Sequence, residues 1–294
     1  DSIPNRLLVI GSGAIGMEFA SFFSAFGAKT TVVEMMDRIL PAEDAEVSAF
    51  AQKQFEKRGL EFRLSTQAAV KPGKSGVTAT FTKDGKDETA EFDRVILAVG
   101  IVGNVEDMGL EALGVKIDRT HIQTDEFSRT GVPGLYAIGD VTGPPWLAHK
   151  ASHEGIICIE KIAGQTPHPL DANRIPGCTY CHPQVASVGY TEAQAKEAGF
   201  EIKTGKFPFI GNGKAIALGE PEGFVKTVFD VKTGELLGAH MIGAEVTELI
   251  QGYAIAQTLE TTEHELIETV FPHPTLSEMM HEATLSAFDR TIHF

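Results

Sequence analysis

Leu7-Leu8-Val9-Ile10 is an unbroken apolar run that stops at Gly11, and from Ala14 to Phe26 apolar residues recur at helical spacing until Gly27. The pattern predicts a strand, a tight turn, a helix and a glycine stop. Thr30-Thr31-Val32-Val33 predicts a second strand, and Asp44 to Arg58 a second helix ended by Gly59. This βαβ alternation predicts a parallel sheet. Val77 to Phe81 and Thr89 to Phe92 flank Lys83-Asp84-Gly85-Lys86, a hairpin with an Asp-Gly turn, and Arg94 to Val99 returns as a buried strand.

Past Gly100 the texture changes. Leu135-Tyr136-Ala137-Ile138 predicts a strand ending in Gly139-Asp140, followed by Gly143-Pro144-Pro145 and a helix from about Leu147 to Ile162. Gln165 to Pro169 and Asn173 to Gly177 form a Pro-rich break, read as a domain boundary. Beyond it, Val185 to Val188, Phe224 to Asp230 and Leu236 to Ile242 predict antiparallel strands, the last two joined at Lys232-Thr233-Gly234. Helices are predicted at Thr191 to Ala198, Thr247 to Leu259 and Leu276 to Phe288, covering one face. The first part therefore reads as α/β and the last as α+β.

Composition narrows the class. The 294 residues are 43% hydrophobic and 22% charged, an ordinary globular balance, and no apolar run approaches the roughly 18 residues of a membrane span. The formal charge of -15 argues against sequence-independent nucleic-acid binding and against docking on an anionic membrane; a basic protein partner suits it better. Three cysteines cannot make a disulfide scaffold, so a reducing, cytoplasmic setting is expected. Residue 1 is Asp and a core strand begins within six residues, which reads as a cut site or edge of a longer chain.

Gly11-Ser12-Gly13-Ala14-Ile15-Gly16 fits G-x-G-x-x-G between a strand and a helix. The first glycine permits the turn, the second lets backbone N–H groups approach a diphosphate, and the third lets helix and strand pack closely. Glu34 lies 23 residues past Gly11, near the roughly 20 of the dinucleotide-binding pattern. A carboxylate there accepts both ribose hydroxyls and repels a 2'-phosphate, which favours NAD over NADP. Asp140 at a strand end is placed to accept a hydroxyl from a sugar or ribitol, or to cap a helix.

In Phe271-Pro272-His273-Pro274-Thr275-Leu276-Ser277-Glu278, two prolines stiffen the loop around an imidazole, and Thr275 or Ser277 is expected to cap the helix carrying Glu278. A carboxylate on one ring nitrogen fixes the tautomer and raises the basicity of the other, as general acid–base chemistry requires; a structural histidine is the alternative. His121, His168, His264 and His293 read as solvated, and no cluster has metal-ligand spacing. Cys178-Thr179-Tyr180-Cys181 enters a strand rather than opening a helix and lacks a second pair, so it reads as two buried thiols; Cys158 reads as core.

Taken in order, these motifs resemble the C-terminal two thirds of the dihydrolipoyl dehydrogenases, within the flavin-dependent pyridine nucleotide-disulfide oxidoreductase family. Gly11 to Gly16 with Glu34, Ala98-Val99-Gly100, Gly134 to Asp140, Leu147-Ala148-His149-Lys150-Ala151 and His273 to Glu278 carry the likeness. It implies a Rossmann-like NAD-binding domain over 1–105, a C-terminal segment of the FAD-binding domain over 106–170, and a dimerisation domain over 171–294. Gly11, Ser12, Gly13, Ala14, Ile15, Gly16, Glu18, Glu34 and Gly100 match NAD-contacting positions. Asp140 matches the residue on the flavin's ribitol, and Trp146, Leu147, Ala148 and His149 the segment along FAD. His273 matches the catalytic base, oriented by Glu278 and serving the opposite subunit of a homodimer.

The resemblance further implies oxidation of protein-bound dihydrolipoamide with NAD as acceptor, a lipoyl domain as substrate, and docking on the peripheral-subunit-binding domain of a 2-oxoacid dehydrogenase complex. Two departures stand out. The family's N-terminal half, with its own FAD loop and C-x4-C redox pair, is missing from these residues, and Phe271 and Trp146 replace a frequent His and Met. Two other readings stay open: an NAD-binding, dimerising fragment without catalysis, and another NAD-dependent flavoprotein of the same family.

Overall fold

The computed structural model describes residues 2–73 and 75–294. Contacts divide the chain into two compact units, Asp1–Val99 with Pro176–Phe294, and Gly100–Ile175.

The first unit opens with β1 (Arg6–Ile10), α1 (Ala14–Ala25), β2 (Lys29–Val33), α2 (Ala45–Lys57) and β3 (Glu61–Arg63). A meander of β4 (Gln67–Pro72), β5 (Val77–Lys83) and β6 (Lys86–Phe92) precedes β7 (Arg94–Leu97). The expected parallel sheet forms in the order β3-β2-β1-β7. Asp84 and Gly85 both take positive φ, the primed turn that matches strand twist. Leu7, Val9 and Val32 bury one face against Met17, Ala20, Val47, Ala51 and Phe55 of the helices; Leu8 and Val33 bury the other against Phe81 and Phe92 of the meander. A strand with both faces covered reads as a continuous apolar run.

The second unit contains β8 (Ile117–Asp118), β9 (His121–Ile122), a 3-10 turn over Gly139–Thr142 and α3 (Ala148–Ile162). The strand expected at Leu135 to Ile138 is not formed: Tyr136 makes one antiparallel bridge to Arg129 and no more. An apolar run becomes a strand only where a neighbouring backbone pairs with it, and Arg129 is the neighbour this run finds.

The chain then returns to the first unit with β10 (Gly177–Thr179), β11 (Gln184–Gly189), α4 (Glu192–Glu197), β12 (Ile202–Pro208), α5 (Gly213–Leu218), β13 (Phe224–Asp230), β14 (Leu236–Gly243), α6 (Val246–Thr258), α7 (Glu263–Glu268) and α8 (Glu278–Ala287). These strands form one antiparallel sheet, β10-β11-β14-β13-β12. One face, with Ala186, Val225 and Met241, packs under α6 and α8. Their chain neighbours Val185, Phe224 and Ile242 point the other way and join the core of α1 and α2.

Candidate functional site

β1 ends at Ile10 and α1 starts at Ala14, so Gly11, Ser12 and Gly13 make the whole turn. Gly11 has φ +99, and a Cβ there would collide with the Ala98 carbonyl oxygen; at Gly16 it would collide with the carbonyl oxygen of Gly11. Only glycine lets the helix sit this close to the strands. Around Gly13 there is open space, and no side chain caps α1. With Ala14 and Ile15 exposed, the first amides of α1 face an open cradle at the positive end of the helix dipole.

Glu34 follows β2. Its Oε2 accepts the Ser12 N–H at 2.9 Å and the Ser12 hydroxyl at 2.8 Å, and its Oε1 accepts the Met36 N–H at 2.9 Å. Burial raises this carboxyl's pKa, but the Met36 and Ser12 hydrogen bonds outweigh it and hold the group below the usual carboxylate range. A fixed negative charge therefore stands at the end of β2, tied to the loop. Glu18, on the second turn of α1, accepts the Tyr180 N–H at 2.8 Å, and Ser21 accepts the His182 N–H at 3.0 Å. Gly100 has φ +136 and open space around it.

The second pair forms at the start of α8. His273 donates its Nδ1–H to Glu278 Oε1 at 2.9 Å, and Glu278 Oε2 accepts the Thr275 N–H at 2.9 Å. Burial raises the Glu278 carboxyl, but the Thr275 amide and His273 bring it down below its ordinary value. The His273 side chain is 78% exposed, so Nε2 faces outward with its tautomer fixed from behind. The expected hydroxyl cap is absent. Thr275 donates instead to the Pro272 carbonyl, and Ser277 already has helical backbone and caps nothing. The hydrogen bonds of this pair do not extend to the glycine loop.

In the second unit Asp140 sits exposed on the turn Gly139–Thr142. The buried Lys150 holds this turn through Thr142 Oγ1 at 3.3 Å, the carbonyls of Gly139 and Gly143 at 3.4 and 3.1 Å, and Glu154 at 2.9 Å. Glu154 accepts the Gly139 N–H at 2.7 Å. Trp146 and Leu147 are half-buried and precede the exposed Ala148 and His149 of α3. No side chain caps this helix either.

Two expectations need correction, those on His121 and Cys178. His121 is half-buried, and the Trp146 indole donates to its Nε2 at 3.3 Å. His293 is exposed as expected, but its ring also binds Glu282 at 2.6 Å, because the chain end folds back on α8. Cys178 is only half-buried, since β10 is an edge strand, whereas Cys158 and Cys181 are buried. Burial raises all three thiols, Cys181 to about 12. No group of three metal-ligating side chains exists among the described residues, and no helix among them is long and apolar enough to cross a membrane.

Sequence reasoning missed Lys226, which is 2% exposed on β13 and reaches Asp44 at 3.1 Å, Glu46 at 3.0 Å and Glu192 at 2.8 Å. The available signal was a lysine inside the run Phe224 to Phe229, otherwise apolar but for Thr227.

Comparison with known proteins fits this geometry. Residues 1–155 match the pyridine nucleotide-disulphide oxidoreductase family, and residues 175–284 match that family's dimerisation domain. A dihydrolipoyl dehydrogenase of Rhizobium etli is 59% identical over 99% of this chain and 61% of its own length. One of Zymomonas mobilis is 58% identical over 100% of this chain and 64% of its own. The crystal structure of LpdA from Mycobacterium tuberculosis superposes with a TM-score of 0.90 at 30% identity, covering 97% of this chain and 62% of that one. The chain thus spans less than two thirds of the length of these relatives. With both parts matched and the glycine loop in place, the chain belongs to the pyridine nucleotide-disulphide oxidoreductase family.

Proposed function

We propose that this chain is the NAD-binding and dimerising part of a dihydrolipoyl dehydrogenase, which oxidises protein-bound dihydrolipoamide to lipoamide with NAD as acceptor. The observation that carries the reading is the 2.9 Å pairing of His273 Nδ1 with Glu278, which leaves an exposed Nε2 on a proline-bounded loop. General base chemistry on a thiol needs this arrangement. His273 Nε2 takes the proton of a substrate thiol, and the Glu278 carboxylate stabilises the imidazolium that results.

In this reading Gly11 to Gly16, Glu18 and Glu34 would hold NAD, the open space at Gly13 suiting a diphosphate and Glu34 a ribose. Asp140 would take ribitol hydroxyls of FAD, with Trp146 to His149 as further candidates to hold it; the exposed carboxylate on a rigidly held turn suits that task. FAD supplies the two-electron chemistry between dithiol and nicotinamide. None of Cys158, Cys178 and Cys181 has the C-x4-C spacing, so the redox disulfide is assigned to a segment outside these residues. His273 serves the opposite subunit of a homodimer. A lipoyl domain is the substrate, and a basic peripheral-subunit-binding domain of a 2-oxoacid dehydrogenase complex is the cytoplasmic partner, in keeping with the charge of -15.

The test is His273→Gln in the complete protein. Turnover of dihydrolipoamide should fall by about 10²-fold or more while NAD affinity stays the same. Unchanged turnover would remove His273 from the role of base.

A further inference from the structure

The last residues of the chain return to α8 and complete a second imidazole–carboxylate pair. Ile292 donates its N–H to Glu282 Oε2 at 3.0 Å, and His293 donates Nδ1–H to Glu282 Oε1 at 2.6 Å. Glu282 is 4% exposed, so its buried oxygens need these donors as hydrogen-bond partners. Phe294 packs edge-on against Phe207 of β12, with ring centroids 6.4 Å apart, which anchors the tail.

Glu278 and Glu282 are four residues apart on one helix and share a face. Both are bound in the same way. One oxygen takes a backbone N–H, from Thr275 or Ile292, and the other takes Nδ1–H of a histidine outside the helix, His273 or His293. The lysines of β12 and β13 and Glu265 of α7, elements packed against α8, have other partners. Lys203 lies over the Phe288 ring, Lys206 pairs with Glu46, Lys226 binds its three carboxylates, and Glu265 caps α7 at Thr262. His281, on α8 itself, donates to the Ile267 carbonyl. His293 also lies near enough to Glu278 to act on it electrostatically, in the same direction as the Thr275 and His273 bonds that overcome its burial.

We propose that His293 is a positioning residue for the His273–Glu278 pair: by satisfying the buried Glu282 it pins the first turns of α8, from which Glu278 sets the ring of His273. This rests on the reading of His273 as the base, and its test separates the two. In this chain, nitrogen NMR shifts of the His273 ring report the share of the Nδ1–H tautomer. His293→Leu should lower that share, and His293→Asn, which keeps an N–H toward Glu282, should restore it. In the complete protein the leucine variant should lower kcat about tenfold with KM for dihydrolipoamide unchanged, the loss of one charge-assisted hydrogen bond acting on positioning. An unaltered His273 ring in His293→Leu overturns the proposal, whatever turnover does. Should that variant misfold, Glu282→Leu with and without His293→Leu decides the matter. The double variant should match Glu282→Leu alone, and additive effects on the His273 ring would refute the coupling. Full turnover in His273→Gln, with the ring of the parent chain still responding to His293, would defeat the base assignment alone.

Discussion

At Glu34 one carboxylate has two tasks, closing the glycine loop through Ser12 and setting the charge at the end of β2. Because its hydrogen bonds outweigh the opposing effect of burial, the group stays ionised to below the usual carboxylate range. Affinity for NAD should therefore be flat from pH 8 to 5, as read by calorimetry on this chain. Glu34→Ala loses both tasks and should weaken NAD binding about tenfold. Glu34→Gln keeps one acceptor and should lose less, while its discrimination against NADP relaxes. Equal affinity in all three proteins would dismiss Glu34 as a ligand-site residue. Spacing from Gly11 made Glu34 legible in the sequence. The Ser12 contact was not, because it depends on the parallel register that sets Ile10 beside Val33. His293 and Glu282 were illegible for a similar reason: the return of the tail is decided by packing on β12, not by local pattern.

The element that places His273 and Glu278 is α8, and α8 rests on β12 and β13. Gly205 makes that contact: it is buried in β12, and a Cβ there would overlap the carbonyl oxygen of Ala283 in the middle of α8. Helix backbone cannot yield as a side chain does, so Gly205→Ala should cost about 2 to 3 kcal/mol in urea unfolding and disturb the His273 ring as well. A variant of parental stability would mean that α8 can slide along the sheet. No strand is expected at β12, where Lys203, Gly205, Lys206 and Pro208 break up the apolar pattern. An edge strand tolerates them, because only β13 pairs with it and Pro208 stands at its end. By contrast α7 was announced by Thr262 and Glu265, which form a capping box, and its shortness let it pass unnoticed. Leu135 to Ile138 failed the other way, with strand composition but no partner beyond one bridge.

At the largest scale, the alternation of strands and helices announced a parallel sheet followed by an antiparallel one, and both exist. What the pattern could not announce is that residues from both sheets share one core, where Val185, Phe224 and Ile242 meet the packing of α1 and α2. Lys226 crosses the same boundary, from β13 to Asp44 at the cap of α2. Burial alone would lower the lysine's pKa, but Glu192, Glu46 and Asp44 together raise it, so its charge persists through the whole neutral range. The carboxylates move the opposite way. Asp44 and Glu46 lie below their ordinary values despite burial, and Glu192 falls to about 2 through Lys196 and Lys226. A depressed carboxyl contributes stability that is present above its unfolded pKa and is lost as pH falls through the folded one. The parent chain should therefore hold its stability from pH 8 to 5 and lose it from about pH 4 down toward 2. Lys226→Met inverts this dependence. It leaves Asp44, at 3% exposure, without a cation, a loss of about 3 to 5 kcal/mol at pH 7. With the cation gone, burial raises the Asp44 pKa, protonation relieves the buried charge, and the deficit should shrink between pH 7 and 5. Urea unfolding at the two pH values reads the difference. An equal deficit at both would show that Lys226 acts through packing of its stem and not through the charges that join the two sheets.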